Sequence, residues 1–256
     1  MKYLEIKKEG FITSVNLNRP ASMNALSTGV LKELTVFNDS LKDDFETRVV
    51  IYSGVGDNFS AGADLNEKSE PQTHLESWRK NFGKPAIESF LNIHQITIAA
   101  VNGYCLGGAA CIASACDFRI ADITILLGVP AAKIGIQYEC KGISRVLSSL
   151  GSSCTKRIFL LAETIDYSSL SKTNFIDFWV EDSENVLVKA GDLANEISKN
   201  APLAVNGMKK IIVELMQGSL DENAAAEEVK NCFDSQDHLE ALLARREKRK
   251  PNFRGL

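Results

Sequence analysis

The sequence predicts an α/β fold with a largely parallel sheet and a helical C-terminal region. Three observations carry that prediction. Short apolar runs at residues 49–52, 98–101 and 118–121 have the length and composition of buried strands. Stretches with helical spacing separate them, as the crossovers between parallel neighbours require. From Glu184 onward the apolar residues recur almost entirely at helical spacing.

Taken in order, residues 3–8 and 11–17 read as two strands joined at Glu9-Gly10, a hairpin. Asn18-Arg19-Pro20 breaks the pattern. Ser27 is placed to cap a helix reaching residue 42, with Leu31, Leu34, Phe37 and Leu41 on one face. The strand at 49–52 ends at Ser53-Gly54-Val55-Gly56. Phe59-Ser60-Ala61-Gly62-Ala63-Asp64-Leu65 follows it. This is either an ordinary tight turn or a loop whose small residues let a ligand approach the backbone. Polar residues 66–84 are expected to form a mobile excursion over one face, and residues 85–95 a helix entering the central strand.

That strand leads into Val101-Asn102-Gly103-Tyr104-Cys105-Leu106-Gly107-Gly108, read as a glycine turn opening a helix over 109–115. The first amides of a helix have no intrahelical partner and lie at its positive end. They stabilise a negative oxygen, whether of a phosphate or of a polarised carbonyl. The alternative is that Gly-Gly-Ala-Ala serves only close helix packing. Strands at 118–121 and 123–127 come next, then a loop through Gly135-Ile136-Gln137-Tyr138-Glu139-Cys140, and helices at 143–150 and 153–161. Helices at 186–200, 203–217, 222–235 and 238–250 complete the chain. The reading divides it into a core at 1–195 and a helical region at 196–256 suited to oligomerisation.

Composition narrows the function. The chain has 256 residues, 45% hydrophobic and 24% charged, which suits a globular protein with a sizeable core. A net charge of −4 argues against a general nucleic-acid binder. No apolar run reaches the roughly 20 residues that span a bilayer, and Met1-Lys2-Tyr3-Leu4-Glu5 lacks the apolar core of a signal peptide. The six cysteines contain no C-x-x-C pair and read as free thiols, so the expected location is cytoplasmic. Three scattered histidines give a zinc site no support.

Together these segments resemble the enoyl-CoA hydratase/isomerase (crotonase) superfamily. Asn18-Arg19-Pro20 with Asn24-Ala25-Leu26 is similar to its early motif, and Phe59 to Leu65 to its F-x-A-G-A-D signature. Asn102 to Gly108 is similar to its oxyanion-hole motif, Cys116-Asp117-Phe118-Arg119-Ile120-Ala121 to the strand that follows, and Lys248-Arg249-Lys250-Pro251-Asn252-Phe253 to its C-terminal ending. The resemblance covers nearly the whole chain, in order. It implies a spiral of β-β-α units with a helical C-terminal region, a homotrimer or dimer of trimers, and a coenzyme A thioester as substrate, with no separate cofactor. It implies that the backbone N–H groups of Ala63 and Gly108 form the oxyanion hole. It further implies that Ala61, Gly62, Ala63, Asp64, Leu65 and Asn66 line the CoA, and that Lys248 meets a CoA phosphate. The other basic residues around Lys248 read as a solvated helix end.

The sequence departs from the family at the water-activating positions. The family's hydratases carry two glutamates there, where this chain has Cys111 and Ala131. Glu139 stands where relatives such as the dienoyl-CoA isomerases carry a catalytic aspartate, and Tyr138 beside it matches an aspartate of the naphthoate-synthase relatives. Glu139 is thus the candidate acid/base or nucleophile, or else a loop glutamate beside Lys141. Tyr138 is the candidate hydrogen-bond donor, or else loop packing. Cys111 is read as a buried, inert thiol. The favoured activity is isomerisation or decarboxylation of an acyl-CoA through an enolate; the C-terminal ending and Leu127-Gly128-Val129-Pro130 are similar to the methylmalonyl-CoA decarboxylase branch. A catalytically silent acyl-CoA-binding oligomer is the alternative, and hydration through a water held by Tyr138 and Glu139 a third.

Overall fold

A computed structural model describes residues 1–67 and 79–256. The expected excursion at 66–84 lies for the most part outside the described residues. The described residues build two sheets. The larger has the order β1-β2-β3-β4-β6-β9: β1 (Leu4–Glu9) and β2 (Ile12–Leu17) form the antiparallel hairpin. β3 (Val49–Gly54), β4 (Ile96–Val101), β6 (Phe118–Asp122) and β9 (Phe178–Val180) add in parallel. The smaller sheet joins β5 (Tyr104–Leu106), β7 (Leu126–Gly128) and β8 (Thr164–Asp166).

The central strands are continuous apolar runs because both of their faces are covered. Alternate residues feed opposite layers. Val50, Tyr52, Ala99 and Val101 join the main core with α1 (Thr28–Ser40), α2 (Lys84–Leu91) and α3 (Gly108–Ala115), through Leu31, Leu34, Phe90 and Ala110. Val49, Ile51, Ile98, Ala100 and Ile120 face the other way, against Val186, Ala190 and Ala194 of α7 (Ser183–Ser198). Between these lie α4 (Cys140–Leu150), α5 (Ser152–Leu160) and α6 (Tyr167–Leu170). Ser27 caps α1 as its sequence position suggests, its hydroxyl accepting from the Val30 N–H at 3.3 Å.

Three further helices, α8 (Pro202–Gln217), α9 (Glu222–Phe233) and α10 (Gln236–Glu247), close the chain. Two cations fasten them to the sheet. The Lys209 ammonium donates to Asp117 and to the Gln95 carbonyl, both at 2.7 Å, at the start of β4 and β6. The Arg48 guanidinium donates to the carbonyls of Ser198 and Phe253. No helix among the described residues is long and apolar enough to cross a membrane.

Two expectations need correction, and two strands are additional. The strand at 123–127 begins only at Leu126, because the Asp122 carboxylate accepts from the Thr124 amide and hydroxyl and turns the chain. The glycine turn at 102–103 does not open directly into a helix, since β5 intervenes and pairs with β7. β8 and β9 lie in the stretch 162–183, to which the sequence pattern assigns no element: each is three residues, too short to show a period.

Candidate active site

The site is built where the loop after β3 meets the β5–α3 junction. Ser60 bridges Cys105 of β5, with the Ser60 amide donating to the Tyr104 carbonyl and the Leu106 amide to the Ser60 carbonyl. Next in the chain, Ala63 bridges Leu26: the Leu26 amide donates to the Gly62 carbonyl and the Asp64 amide to the Leu26 carbonyl. In an extended chain successive amides point to opposite sides. The Asp64 amide is used toward Leu26, so the Ala63 N–H is turned away from it. Gly62, at φ 85°, packs so closely that a Cβ there would lie 2.5 Å from the Leu106 carbonyl oxygen.

Across this contact, Gly107 precedes α3 at φ 55°, with its own amide held by the Gly128 carbonyl at 2.8 Å. No side chain caps α3. The Gly108 amide is therefore a first-turn donor without an intrahelical acceptor. Ala63 and Gly108 line one cavity of about 190 Å³, with Ala61 and Leu65 on the same wall. Gly62, Asp64 and Asn66 are not among its lining residues. Asp64 instead pairs with Arg19 at 2.8 Å, tying the Asn18-Arg19-Pro20 motif to this loop.

The opposite wall comes from the loop before α4 and from α4 itself. Tyr138 and Glu139 both line the cavity, as do Cys111 and Ala131. The Tyr138 hydroxyl and the Cys111 thiol are hydrogen-bond partners, and the Tyr138 ring packs edge-on against Phe159 at 5.4 Å. Burial pushes the Cys111 thiol up to about 11, against the lowering pull of Arg145 and of the Tyr138 hydrogen bond. Burial likewise raises the Tyr138 phenol well above its usual range. Both groups are neutral near pH 7. Glu139 occupies the N-cap position of α4 without bonding the helix amides, and its carboxylate pairs with Arg79. Lys248 lies elsewhere, exposed in the left-handed C-cap position of α10 at φ 55°, and is not part of the cavity wall.

Two cationic residues of this wall, Arg79 and Arg145, went unrecognised in the sequence. Arg79 lies in a polar stretch with no apolar period. For Arg145 a signal existed: it lies three residues after Gly142, on the same face of the helix that begins just after Glu139.

An α/β core that sets a helix-first amide beside an outward-turned strand amide, over an apolar cavity, is an arrangement chemically able to polarise a carbonyl. Residues 7–255 match the enoyl-CoA hydratase/isomerase family, and the chain belongs to it. It is 34% identical over 251 residues to a short-chain-enoyl-CoA hydratase of Clostridium acetobutylicum, covering 96% of this chain and 95% of that one. It is 31% identical over 263 residues to the mitochondrial methylglutaconyl-CoA hydratase of mouse, covering 100% and 83%. A crystal structure of an enoyl-CoA hydratase/carnithine racemase from Magnetospirillum magneticum superposes with a TM-score of 0.92 at 28% identity, covering 100% and 97%. The Bacillus anthracis enoyl-CoA hydratase superposes at 0.90 and 28%, covering 99% and 100%. The fold is thus the crotonase fold of β-β-α units with a helical C-terminal region, and the chain is a member of a family of acyl-CoA enzymes.

Proposed function

We propose that this protein transforms an acyl-CoA thioester through an enolate, by double-bond isomerisation or decarboxylation, and not by two-carboxylate hydration. The observation that carries the reading is one cavity lined by Ala63, Gly108 and Glu139, with Cys111 and Ala131 at the water-activating positions. The thioester oxygen accepts from the Ala63 and Gly108 amides, which hold the charge that develops there; a donor of this kind contributes roughly 3–4 kcal/mol of barrier lowering. In isomerisation Glu139 takes an α- or γ-proton, the electron pair delocalises onto the thioester oxygen, and the same carboxyl returns the proton at the other end of the allyl system. In decarboxylation the C–C bond to CO2 breaks, its electron pair enters the same oxyanion, and the α-carbon then takes a proton delivered from solvent through the Glu139 carboxyl, so that CO2 and the shortened acyl-CoA leave. Neither neutral Cys111 nor Ala131 holds a nucleophilic water as a carboxylate does.

Along this reading the pantetheine runs past Ala61 and Leu65, and Lys248 reaches a CoA phosphate on a neighbouring subunit. The protein assembles as a trimer or dimer of trimers through its C-terminal helices. Exposed Met208, Ile212, Leu215, Met216, Phe233, Leu239 and Leu242 on α8–α10 support that assembly. Sedimentation equilibrium is expected to return three or six chains per particle; a monomer at micromolar concentration would refute the assembly. The Arg79–Glu139 pair supports one second reading, a silent acyl-CoA binder whose remaining carboxylate is already engaged.

The deciding experiment is turnover of crotonyl-CoA, a 3-enoyl-CoA and methylmalonyl-CoA. Conversion of either of the last two is the expected result. Rapid hydration of crotonyl-CoA alone would overturn the reading, and no conversion with acetyl-CoA still bound would point to the silent binder or to a substrate outside these three.

A further inference from the structure

We propose that Arg145 is a carboxylate receptor in the acyl pocket, so that the substrate is a thioester whose acyl chain carries a second, ionised carboxylate. The inference rests on the acyl-CoA reading above and specifies its substrate class. Its starting point is an unsatisfied donor. Nη1 of Arg145 is buried and has no hydrogen-bond partner among the described residues. Two other buried side-chain atoms there share that condition, Gln95 Oε1 and Asp122 Oδ2, and neither residue lines the cavity. Arg145 does line it, on the same wall as Cys111 and Tyr138. Leaving a charged N–H unsatisfied costs more than leaving a neutral one, so an acceptor that arrives with the substrate removes a standing penalty.

No described residue of the pocket pairs with this cation. Cys111 and Tyr138 are protonated and uncharged near pH 7, for the reason of burial already given. Glu139 is engaged by Arg79. Glu88 lies 3.9 Å from Lys84. Among the described lining residues four cations (Arg79, Lys84, Lys141, Arg145) stand against two carboxylates (Glu88, Glu139). Apolar Val129, Ala131 and Ile136 line the same cavity and suit the methylenes of an acyl chain. A guanidinium is the side chain that matches a carboxylate with two parallel hydrogen bonds.

The pairing also bears on the reaction. A guanidinium that holds a carboxylate stabilises its charged ground state more than departing neutral CO2. A carboxylate seated on Arg145 is therefore retained, which favours proton transfer along the chain over its loss.

The test uses unreactive, saturated probes that share the CoA moiety, so that any preference belongs to the acyl end and not to the phosphates. Calorimetric affinities of glutaryl-CoA and valeryl-CoA, and of succinyl-CoA and butyryl-CoA, are compared for the wild type, Arg145→Gln and Arg145→Lys. In at least one pair the dicarboxylic thioester is expected to bind about 10- to 100-fold more tightly to the wild type. Arg145→Gln is expected to abolish the preference, lowering the affinities of the dicarboxylic thioesters more than those of valeryl-CoA and butyryl-CoA. Arg145→Lys, which keeps the charge without the fork, is expected to retain part of it. Equal wild-type affinities within both pairs would overturn this inference alone, as would an equal loss for charged and uncharged probes in Arg145→Gln. Failure of every thioester to bind would overturn the acyl-CoA reading as well. Should Arg145→Gln fail to fold, the wild-type comparison and the lysine variant decide the matter.

Discussion

Glu139→Gln is expected to lower turnover of the isomerised or decarboxylated thioester by about 10²- to 10⁴-fold, the usual contribution of a positioned acid/base. The substitution keeps size and shape and removes only the ability to carry a proton. Its structural cost is small. The carboxylate does not cap α4, and its partner Arg79 is 42% exposed at the side chain. Half-exposed ion pairs of this kind are worth about 0–1 kcal/mol, and a glutamine oxygen still accepts from the guanidinium. The melting temperature and the affinity for acetyl-CoA should therefore stay at wild-type values while kcat falls. That combination separates chemistry from binding. An unchanged kcat would remove Glu139 from the mechanism and return the proton transfer to another group. The exposed pair has a second consequence: because it is weak, an arriving substrate displaces Arg79 from Glu139 at little cost. An engaged carboxylate in the empty site is thus compatible with a free one during reaction.

The parts of this site that lie on strongly patterned segments are legible in the sequence. β3 and β4 announce themselves because both faces are buried and every position is apolar or small. Ala63 and Gly108 are visible because close backbone approach demands runs of small residues, and two such runs follow two apolar strands. The missing carboxylates at Cys111 and Ala131 are equally plain, since the departure is a change of residue type at a fixed place. What is not legible depends on partners distant in sequence. β8 pairs with β7 across 36 residues of chain, measured from Gly128 to Thr164, and three residues carry no period of their own. Arg79 and Arg145 look like surface cations until the fold turns them toward one cavity. Tyr138 reads equally well as packing or as chemistry. Its contact with Cys111 arises only when α3 and the loop before α4 converge.

Gly62→Ala is expected to cut kcat by about 10²- to 10³-fold, the effect of losing one oxyanion donor, although position 62 contributes no donor itself. Two costs act on that variant. Any residue with a Cβ at φ 85° is strained by about 1–2 kcal/mol. The added carbon would also meet the Leu106 carbonyl oxygen at 2.5 Å, a backbone atom that has no rotamer with which to escape. Either the loop carrying Ala63 or the segment leading to Gly108 must move, and the two amides separate in both cases. Since the proposed hole requires both donors to converge on one oxygen, a displacement of a few tenths of an ångström is expected to be amplified into a rate effect. Gly10→Ala supplies the control. It bears the same kind of left-handed strain, at φ 57° in the β1–β2 hairpin, but a Cβ there meets nothing within 4 Å. Both variants should lose thermal stability, and only Gly62→Ala should lose kcat. A wild-type kcat in both would show that the contact between Gly62 and Leu106 does not set the spacing of the amides. A matching loss in both would assign the effect to global destabilisation.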